Sequence, residues 1–516
     1  MRLKDYLFVA ALAMIFTACS EKTDVPSGDD PKSSSSYESA LSFFKEINAV
    51  PRPSLHEDKM RDYLTAFAQK RNLRFVKDNG NVIIYKDATP GMENVPSVCL
   101  QSHMDMVCVA AQGYDIDFLT QGIVQELDGK VIHSKDNKTS LGADDGIGMS
   151  IVLGILDADD IPHGPLECLF TWDEETGMSG ALALTPGILE SEIMINLDWE
   201  TGGEMCVGTA GGLTIAMTLQ MEQQSVPAGY VAYQLELKDA TGGHSGADII
   251  DGRVNTISLM AKCLATMDNL LLVDCVGGDA RNAISTHVSF TVLVPENVSE
   301  DFENEYERYM SYEKRHHKLK DPNMVYTITP VSLPAYCYNA NQTNTVINGL
   351  ADAPQDIIEW SRDVNGAFET SNNIGLISVD DNVFSATYLV RGFHDEGIDE
   401  AAGMIDDAYG VGESGCEREY SGRYTAWSPD INSPIIIYAQ EAYQKRFGMP
   451  IVLRKIGAGL ELSEFVRAYP DMQCLAIGPT IHDPHSVKEC VEIATVEENW
   501  NFVLALLKDI ADLDKK

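Results

Sequence analysis

The chain has 516 residues, of which 44% are hydrophobic and 22% are charged, and its formal net charge is −40. This length exceeds one ordinary domain, and the composition is typical of a globular protein rather than a disordered one. The negative charge excludes nucleic acid and anionic membrane surfaces as partners, because both would repel it. It favours a soluble enzyme with a small-molecule substrate and attracts divalent cations.

The N-terminus is typical of a targeting segment. A short basic region precedes an apolar stretch at residues 7–16, and Cys19 ends a sequence similar to a bacterial lipoprotein cleavage box. We therefore predict a signal peptide at residues 1–19, a lipid anchor on Cys19 and a polar tether at residues 20–38. This makes the protein an exported lipoprotein of the cell envelope. A plain secretory signal and a short buried helix are the alternatives.

The cysteine pattern argues against a cysteine-ligated metal. Of the 11 cysteines, removal of Cys19 leaves ten, and most of these lie in apolar, strand-like runs where Cys behaves as a small hydrophobic residue. No two cysteines have the CxxC spacing of a zinc site. Disulfide bonds after export remain open, and the sequence does not pair them.

Helical and strand-like stretches alternate at both ends of the chain. We predict helices at residues 37–50, 63–70, 146–156 and about 500–513, and strands at residues 82–85, 98–101, 166–171, 193–197 and 473–477. This alternation predicts an α/β catalytic domain of the phosphorylase/hydrolase-like type, in which helices flank a central mixed sheet.

The middle of the chain has a different pattern. Strands with regular polar and apolar alternation are predicted at residues 231–237, 288–294, 325–329 and 384–390, with helices between them. A glycine-rich boundary near residue 211 opens this section. We therefore predict an α+β lid domain at residues 211–425, inserted into a catalytic domain formed by residues 39–210 and 426–516.

Polar clusters follow several of the predicted strands at their carboxyl ends. These clusters are His103 with Asp105, Asp144 with Asp145 at the start of a helix, Glu174 with Glu175, Asp198, and the more distant His482, Asp483 and His485. In open α/β sheets, ligands bind beyond the carboxyl ends of the strands. We therefore expect these side chains to converge despite their separation in sequence.

The expected cluster has more metal-binding groups than one ion needs. Two or three histidines and about five carboxylates converge, whereas a mononuclear site uses three or four protein ligands. Neighbouring buried carboxylates also require a compensating positive charge. The surplus predicts two divalent metal ions, roughly 3.5–4 Å apart, that share one carboxylate. Imidazole and carboxylate ligands favour zinc, with manganese or cobalt as alternatives.

In their order along the chain, these motifs resemble the co-catalytic dinuclear zinc metallopeptidases. Within that family, the aminoacyl-histidine dipeptidases (the Xaa-His, carnosinase-like branch) are the most similar. The matching segments are residues 47–56 with Pro-Arg-Pro-Ser, 103–105 (His-x-Asp), 142–146 (Gly-Ala-Asp-Asp-Gly), 173–177 (Asp-Glu-Glu-Thr-Gly), 196–198 (Asn-Leu-Asp), 242–248 (Gly-Gly-His-Ser-Gly-Ala-Asp), 277–284 and 369–372. The resemblance covers the chain from about residue 40.

The resemblance assigns the metal ligands. It implies that His103, Asp144 and Asp198 hold one metal ion, and that Asp144, Glu175 and His485 hold the other. On this hypothesis Asp144 bridges the two ions.

The remaining roles also come from the resemblance. It implies that Glu174 is the general base and that Asp105 orients the first metal-binding histidine. It implies that His244 in the lid domain stabilises the oxyanion on closure. Asn282 and Arg391 are candidate substrate-binding residues, because the planar guanidinium of Arg391 suits a terminal carboxylate.

The implied function is metal-dependent hydrolysis of dipeptides, of the Xaa-His type or of a broader range. Two alternatives remain open: a hydrolase of another small N-acyl amino acid amide, and a catalytically weakened lipoprotein that binds peptides. A small peptide is then the expected partner, and a homodimer through the lid domain is a further expectation.

The sequence departs from the family pattern near the C-terminus. The family's His-Ala-Gly-Leu-Glu-Cys-Gly becomes a segment in which Gly457 replaces the histidine and Leu462 and Ser463 replace Cys-Gly. After His485, Val487-Lys488 stands where the family has Pro-Asp. The presumed ligands are retained, so these departures put only the substrate preference in doubt.

Overall fold

A computed structural model describes residues 36–510 of the chain. The predicted signal peptide and most of the predicted tether therefore lie outside the described residues. The described residues group into one compact unit, so the predicted domain boundaries at residues 210 and 425 stay a prediction. Among the described helices, none has the length and apolar character that crossing a membrane requires.

The first part of the chain alternates helices and strands, as its hydrophobic pattern predicts. The helices are α1 (Tyr37–Asn48), α2 (Asp58–Lys70), α3 (Ala143–Asp157), α4 (Glu174–Gly177) and α5 (Ser179–Ala183). The strands are β1 (Arg74–Asp78), β2 (Asn81–Lys86), β3 (Val98–His103), β4 (Gln125–Asp128), β5 (Val131–Ser134), β6 (Leu166–Thr171), β7 (Ile193–Asn196) and β8 (Glu204–Thr209). Strands β3, β6 and β7 are buried along their whole length, which is typical of central parallel strands.

The middle of the chain is richer in antiparallel strands. The strands are β9 (Gly211–Gln220), β10 (Gln223–Ser225), β11 (Tyr230–Lys238), β12 (Gly243–His244), β13 (Leu271–Gly277), β14 (Ala283–Ile284), β15 (Val288–Pro295), β16 (Val325–Val331), β17 (Tyr336–Tyr338), β18 (Asp356–Trp360), β19 (Phe368–Asp380), β20 (Val383–Gly392) and β21 (Cys416–Tyr424). The helices are α6 (Thr256–Ala265), α7 (Ser299–His316), α8 (Ala340–Asp352) and α9 (Asp395–Tyr409).

The last part returns to the first architecture. Its helices are α10 (Pro434–Phe447), α11 (Leu462–Ala468) and α12 (Ile493–Asp509), and its strands are β22 (Val452–Ile456), β23 (Gln473–Ala476), β24 (Ile481–His482) and β25 (Cys490–Glu492). Helix α12 begins at Ile493 rather than near residue 500, because the polar residues 497–499 separate its apolar first turn from the amphipathic pattern that follows.

Two large sheets organise these elements. The first has the order β1-β2-β6-β3-β7-β23-β8-β22, with both parallel and antiparallel pairs. The late strand β23 lies beside β7, so the C-terminal segment joins the sheet built by the N-terminal one. The second sheet has the order β16-β11-β15-β13-β19-β20-β9-β21, and its pairs are antiparallel. The predicted α/β fold with a mixed sheet and a lid domain is confirmed.

Each sheet has its own core. On the first sheet, alternate β6 side chains such as Leu166, Cys168 and Phe170 pack with helices α1, α3 and α12, while Leu169 packs on the opposite face with α5 and α11. The second sheet packs against α6, α8 and α9 in a separate cluster. The ten cysteines among the described residues are free thiols.

Candidate active site

Five side chains with metal-binding chemistry meet at the carboxyl ends of the central strands. His103 ends β3, and Asp198 lies two residues beyond β7, which pairs in parallel with β3. Glu175 lies in α4, directly after β6, the other parallel neighbour of β3. Asp144 lies at the start of α3, and His485 lies between β24 and β25. We call these five side chains the metal cluster.

The metal cluster consists of two groups that share Asp144. In the first group, His103 Nε2 lies 2.9 Å from Asp144 Oδ1 and 3.4 Å from Asp198 Oδ1. In the second group, His485 Nε2 lies 3.0 Å from Asp144 Oδ2 and 3.0 Å from Glu175 Oε2. The candidate ligand atoms within each group lie within 4.8 Å of one another. The two oxygens of Asp144 thus face different groups, as a bridging carboxylate requires.

Close packing around the start of α3 leaves no room for a side chain at its glycines. Gly142 has a φ of 70°, and a Cβ there would lie 2.6 Å from a guanidinium nitrogen of Arg52. The buried Asp145 carboxylate accepts hydrogen bonds from the backbone N–H groups of His103 (3.3 Å) and Gly148 (3.0 Å). These contacts fix the start of α3 against the end of β3, the elements that carry Asp144 and His103.

The electrostatics of the cluster favour bound cations. Burial raises the pKa of Asp198 to about 7, and the charge of Asp144 acts in the same direction. Burial and the charges of Asp144 and Asp198 raise the pKa of Glu200 to about 8. Hydrogen bonds to Asp144 and Glu175 raise the pKa of His485 to about 11. Because Glu175 Oε1 is also buried without a hydrogen-bond partner among the described residues, the donor set fits two divalent ions.

Asp105 connects the first histidine to the candidate general base. Its Oδ1 lies 3.3 Å from His103 Nδ1 and accepts a hydrogen bond of 3.0 Å from the backbone N–H of Glu174. Its Oδ2 accepts one of 3.3 Å from the backbone N–H of Glu175. The Asp105 carboxylate therefore lies against the imidazole and fixes the turn that carries the two glutamates.

Glu174 lies in a helical turn rather than in an extended strand. Glu174 and Glu175 open α4, where consecutive side chains diverge by about 100°. Separate roles for the two side chains remain compatible with this geometry. Burial raises the pKa of Glu174 well above its ordinary value, and the charges of Asp198 and Glu461 add to the shift.

In the lid domain, the surroundings of His244 favour a neutral imidazole whose Nδ1 accepts hydrogen bonds. Its backbone N–H donates to Asp248 Oδ2 at 2.7 Å, and its Nδ1 accepts hydrogen bonds of 3.2 Å from the backbone N–H groups of Gly246 and Ala247. Burial, followed by the positive charge of Arg391, lowers the pKa of the imidazole. A neutral ring that accepts at Nδ1 carries its proton on Nε2, which is then available to a ligand.

Arg391 and Asn282 lie near this histidine. Arg391 is 5% exposed, and its guanidinium donates to the Tyr424 hydroxyl and to the carbonyl oxygen of Gly457, both at 2.6 Å. Asn282 is exposed, and its backbone carbonyl accepts a hydrogen bond of 2.8 Å from the N–H of Ser245. We call His244, Asn282 and Arg391 the lid cluster.

The two clusters are separate. Between residues 36 and 510, no hydrogen bond or ion pair in the structure joins a lid-cluster side chain to a metal-cluster side chain. The segment of residues 457–461 links them instead. A Cβ on Gly246 would meet the Gly457 carbonyl at 2.3 Å, so the two backbones touch. The same segment ends at Glu461, which accepts a hydrogen bond from Gln101, two residues before His103.

Glu461 is a site residue that the sequence analysis gave no role. It is fully buried, and its Oε2 accepts hydrogen bonds from Gln101 Nε2 (2.7 Å) and Thr171 Oγ1 (2.6 Å). Gln101 in turn accepts a hydrogen bond of 2.6 Å from Asn196. Burial raises the pKa of Glu461 to about 8. The sequence did contain a signal for it: Glu461 matches the family's glutamate in a segment that departs from the family pattern at Gly457 and at Leu462.

The fold and the ligand set together define a metal-dependent hydrolase with a lid domain. A family model described as Peptidase family M20/M25/M40 matches residues 99–509. The chain therefore belongs to this peptidase family, which confirms the family resemblance predicted from the motifs.

Two relatives are similar over nearly the whole chain. The cytosol non-specific dipeptidase of Escherichia coli (strain K12) is 35% identical over 471 residues, 90% of this chain and 96% of the relative. The crystal structure of the aminoacylhistidine dipeptidase from Vibrio alginolyticus has a TM-score of 0.85 at 36% identity, covering 92% of this chain and 97% of that one. The aminopeptidase PepT from Bacillus cereus shares the fold, with a TM-score of 0.55 at 16% identity, covering 92% and 99%.

These comparisons correct one prediction. The Escherichia coli relative is named a cytosol enzyme, which contradicts the predicted localisation as an exported lipoprotein of the cell envelope anchored at Cys19. The prediction was wrong, and the segment on which it was based lies outside the described residues. A basic start and an apolar run before a cysteine are short, common features, so they specify export weakly.

Proposed function

We propose that this chain is a metallo-dipeptidase whose metal cluster binds two divalent ions. The observation that carries the proposal is that the two carboxylate oxygens of Asp144 face different histidines. Oδ1 lies 2.9 Å from His103 Nε2, and Oδ2 lies 3.0 Å from His485 Nε2. Two relatives at 35% and 36% identity are dipeptidases by name, which supports the substrate class.

The residue assignments follow from the two groups. His103, Asp144 and Asp198 would hold one ion, and Asp144, Glu175 and His485 would hold the other. Zinc is the first candidate for this imidazole and carboxylate set, with manganese or cobalt as alternatives. When bound, the ions supply Lewis acidity that polarises the scissile carbonyl and lowers the pKa of water.

Glu174 performs the proton transfers. Its carboxylate accepts a proton from the attacking water and later delivers it to the departing amine. Its raised pKa makes it a stronger base than an exposed glutamate. Asp105 keeps the turn at Glu174 in place through its hydrogen bond to the backbone N–H.

The lid cluster binds and orients the substrate. The Nε2–H group of the neutral His244 donates a hydrogen bond to the oxyanion that develops on the scissile carbonyl. Arg391 binds the terminal carboxylate of the peptide, and the exposed amide of Asn282 binds a polar group beside it. Because no hydrogen bond or ion pair joins the two clusters among the described residues, we infer that the substrate spans them and that the lid closes over it.

A matched pair of variants tests the function. Glu174→Gln removes the base and preserves the shape, so we expect dipeptide turnover to fall by about 10³–10⁴-fold while zinc binding remains. Glu497→Gln, on the exposed face of α12, removes one negative charge far from the site and serves as the control. Unchanged turnover in Glu174→Gln would remove Glu174 from its role.

A substrate panel separates the alternatives. Gly457 is packed so closely that a Cβ would lie 2.3 Å from the Gly246 carbonyl and 2.7 Å from Phe368, which favours a pocket altered from the family pattern. Xaa-His, β-alanyl and general dipeptides should therefore be compared with small N-acyl amides. Turnover of amides alone would favour a hydrolase of small N-acyl amino acid amides. Binding without turnover would favour a peptide-binding protein. The homodimer through the lid domain stays a prediction for analytical ultracentrifugation.

A further inference from the structure

One buried carboxylate holds the backbone of the loop that leads into Asp144. Glu489 is 2% exposed, and its Oε2 accepts hydrogen bonds from the N–H groups of Leu141 (2.7 Å) and Gly142 (3.0 Å). Its Oε1 accepts hydrogen bonds from the N–H groups of Ala143 (2.7 Å) and Asp144 (3.4 Å). Four consecutive backbone donors thus share a single side chain.

A buried guanidinium holds the carbonyl groups of the same region. Arg52 is 1% exposed and donates to the carbonyl oxygens of Gly142, Asp105 (2.6 Å) and Met104 (3.2 Å). The loop before α3 is therefore fixed from its N–H side by Glu489 and from its carbonyl side by Arg52. The same guanidinium also ties the loop to the end of β3.

This arrangement bears directly on the ligand geometry. Asp144 has to present its two oxygens to two different groups, so a small rotation of its backbone would misplace one of them. Without Glu489, four backbone N–H groups at buried positions would lose their acceptor, and each such loss is unfavourable. Glu489 also lies four residues after His485. The same short segment therefore carries a ligand of the second group and fixes the shared ligand.

We propose that Glu489 is a positioning residue of the metal centre, with Arg52 as its partner on the carbonyl side. Glu489 holds the backbone at Asp144 so that one carboxylate serves both groups. This inference rests on the proposed two-metal function and adds a residue that does not itself bind metal.

Zinc binding to the purified full chain tests the inference. In Glu489→Gln, the amide N–H₂ group faces backbone N–H groups that need an acceptor. We expect its zinc affinity, measured by equilibrium dialysis, to fall by about 10–100-fold. Turnover should recover as free zinc is raised, and KM at saturating zinc should stay near the wild-type value. Glu497→Gln should bind zinc as the wild type does.

The conservative variant keeps the test decisive. Glu489→Asp retains the charge but is too short to reach all four N–H groups, so its affinity should lie between those of the wild type and Glu489→Gln. It also replaces Glu489→Gln as the test if that variant does not fold. Wild-type zinc affinity in the variants would overturn the inference. Absence of zinc binding in the wild type would instead overturn the proposed function, so the two failures are distinguishable.

Discussion

The metal cluster and the lid cluster differ in how firmly the fold holds them. His103 and Asp144 are buried at strand and helix ends, and charged side chains such as Asp105 and Glu489 fix their surroundings. In the lid, His244 is half-buried on a two-residue strand and Asn282 is exposed. The His103 and Asp144 part of the metal cluster is thus fixed by the fold, whereas His244 and Asn282 in the lid are less firmly held. His485, whose side chain is 48% exposed, and the buried Arg391 are the exceptions in the two clusters.

This difference separates two kinds of functional loss. Changes in the metal cluster should abolish metal binding and turnover together, because the carboxylates depend on the ions for charge compensation. Changes in the lid cluster should leave the metal content unaltered and reduce only the rate or the substrate affinity. Three variants test this separation, and a fourth tests the buried Glu461, which belongs to neither cluster.

Asp144→Asn should have the largest effect. It removes the charge shared by both groups, so we expect zinc affinity to fall by several orders of magnitude and turnover by about 10⁴-fold or more. Zinc content and turnover should be measured on the same preparation. Full zinc content in this variant would show that the shared carboxylate is dispensable for metal binding.

His244→Ala should reduce turnover by about 10²–10³-fold, since it removes one donor to the oxyanion. Zinc content should match the wild type, as no hydrogen bond or ion pair among the described residues joins the His244 side chain to the metal cluster. His287→Ala, a partly exposed histidine paired with Asp279 at 3.7 Å, is the matched control. Loss of zinc in His244→Ala would show that the two clusters are not independent.

Arg391→Lys should act mainly on KM. A lysine retains the positive charge but loses the planar pair of donors, so kcat/KM should fall by about tenfold with kcat little changed. The exposed pair of Arg423 with Asp399 offers Arg423→Lys as a control. A fall in kcat with unchanged KM would assign Arg391 to the chemical step instead.

Glu461→Gln should have the smallest effect on rate and a visible effect on pH dependence. The folded-state pKa of Glu461 is raised to about 8, above the ordinary value of about 4.3. Its contribution to stability is therefore complete below pH 4 and is lost as pH rises through about 8, at up to about 1.4 kcal/mol per pH unit. Metal-free Glu461→Gln should lose less stability than metal-free wild type between pH 5 and pH 8 in urea unfolding. Parallel curves would contradict burial as the cause.

Much of the site could be predicted because its motifs are local. His103, Glu175 and Asp198 each follow a buried apolar strand, so strand periodicity alone predicts that they share one sheet edge. The mixed sheet, the lid domain and the dipeptidase class are confirmed by the fold, the family match and the relatives. The residue roles stay predictions that the variants above test.

The supporting contacts could not be predicted. Glu489 reaches a loop about 346 residues earlier in the chain, and Glu461 contacts Thr171 across 290 residues. No local pattern encodes such pairs, because they depend on strand β23 joining the sheet beside β7. The helical turn at Glu174 was missed for a different reason, since a four-residue helix has too few residues to show a period.

The number of zinc ions bound per chain tests the central claim most directly. The purified full chain, dialysed against excess zinc and then against metal-free buffer, should retain two ions per chain, while Asp144→Asn retains none under the same conditions. A wild-type chain that retains no zinc, or one that retains a single ion unaffected by Asp144→Asn, would contradict a centre built on one shared carboxylate.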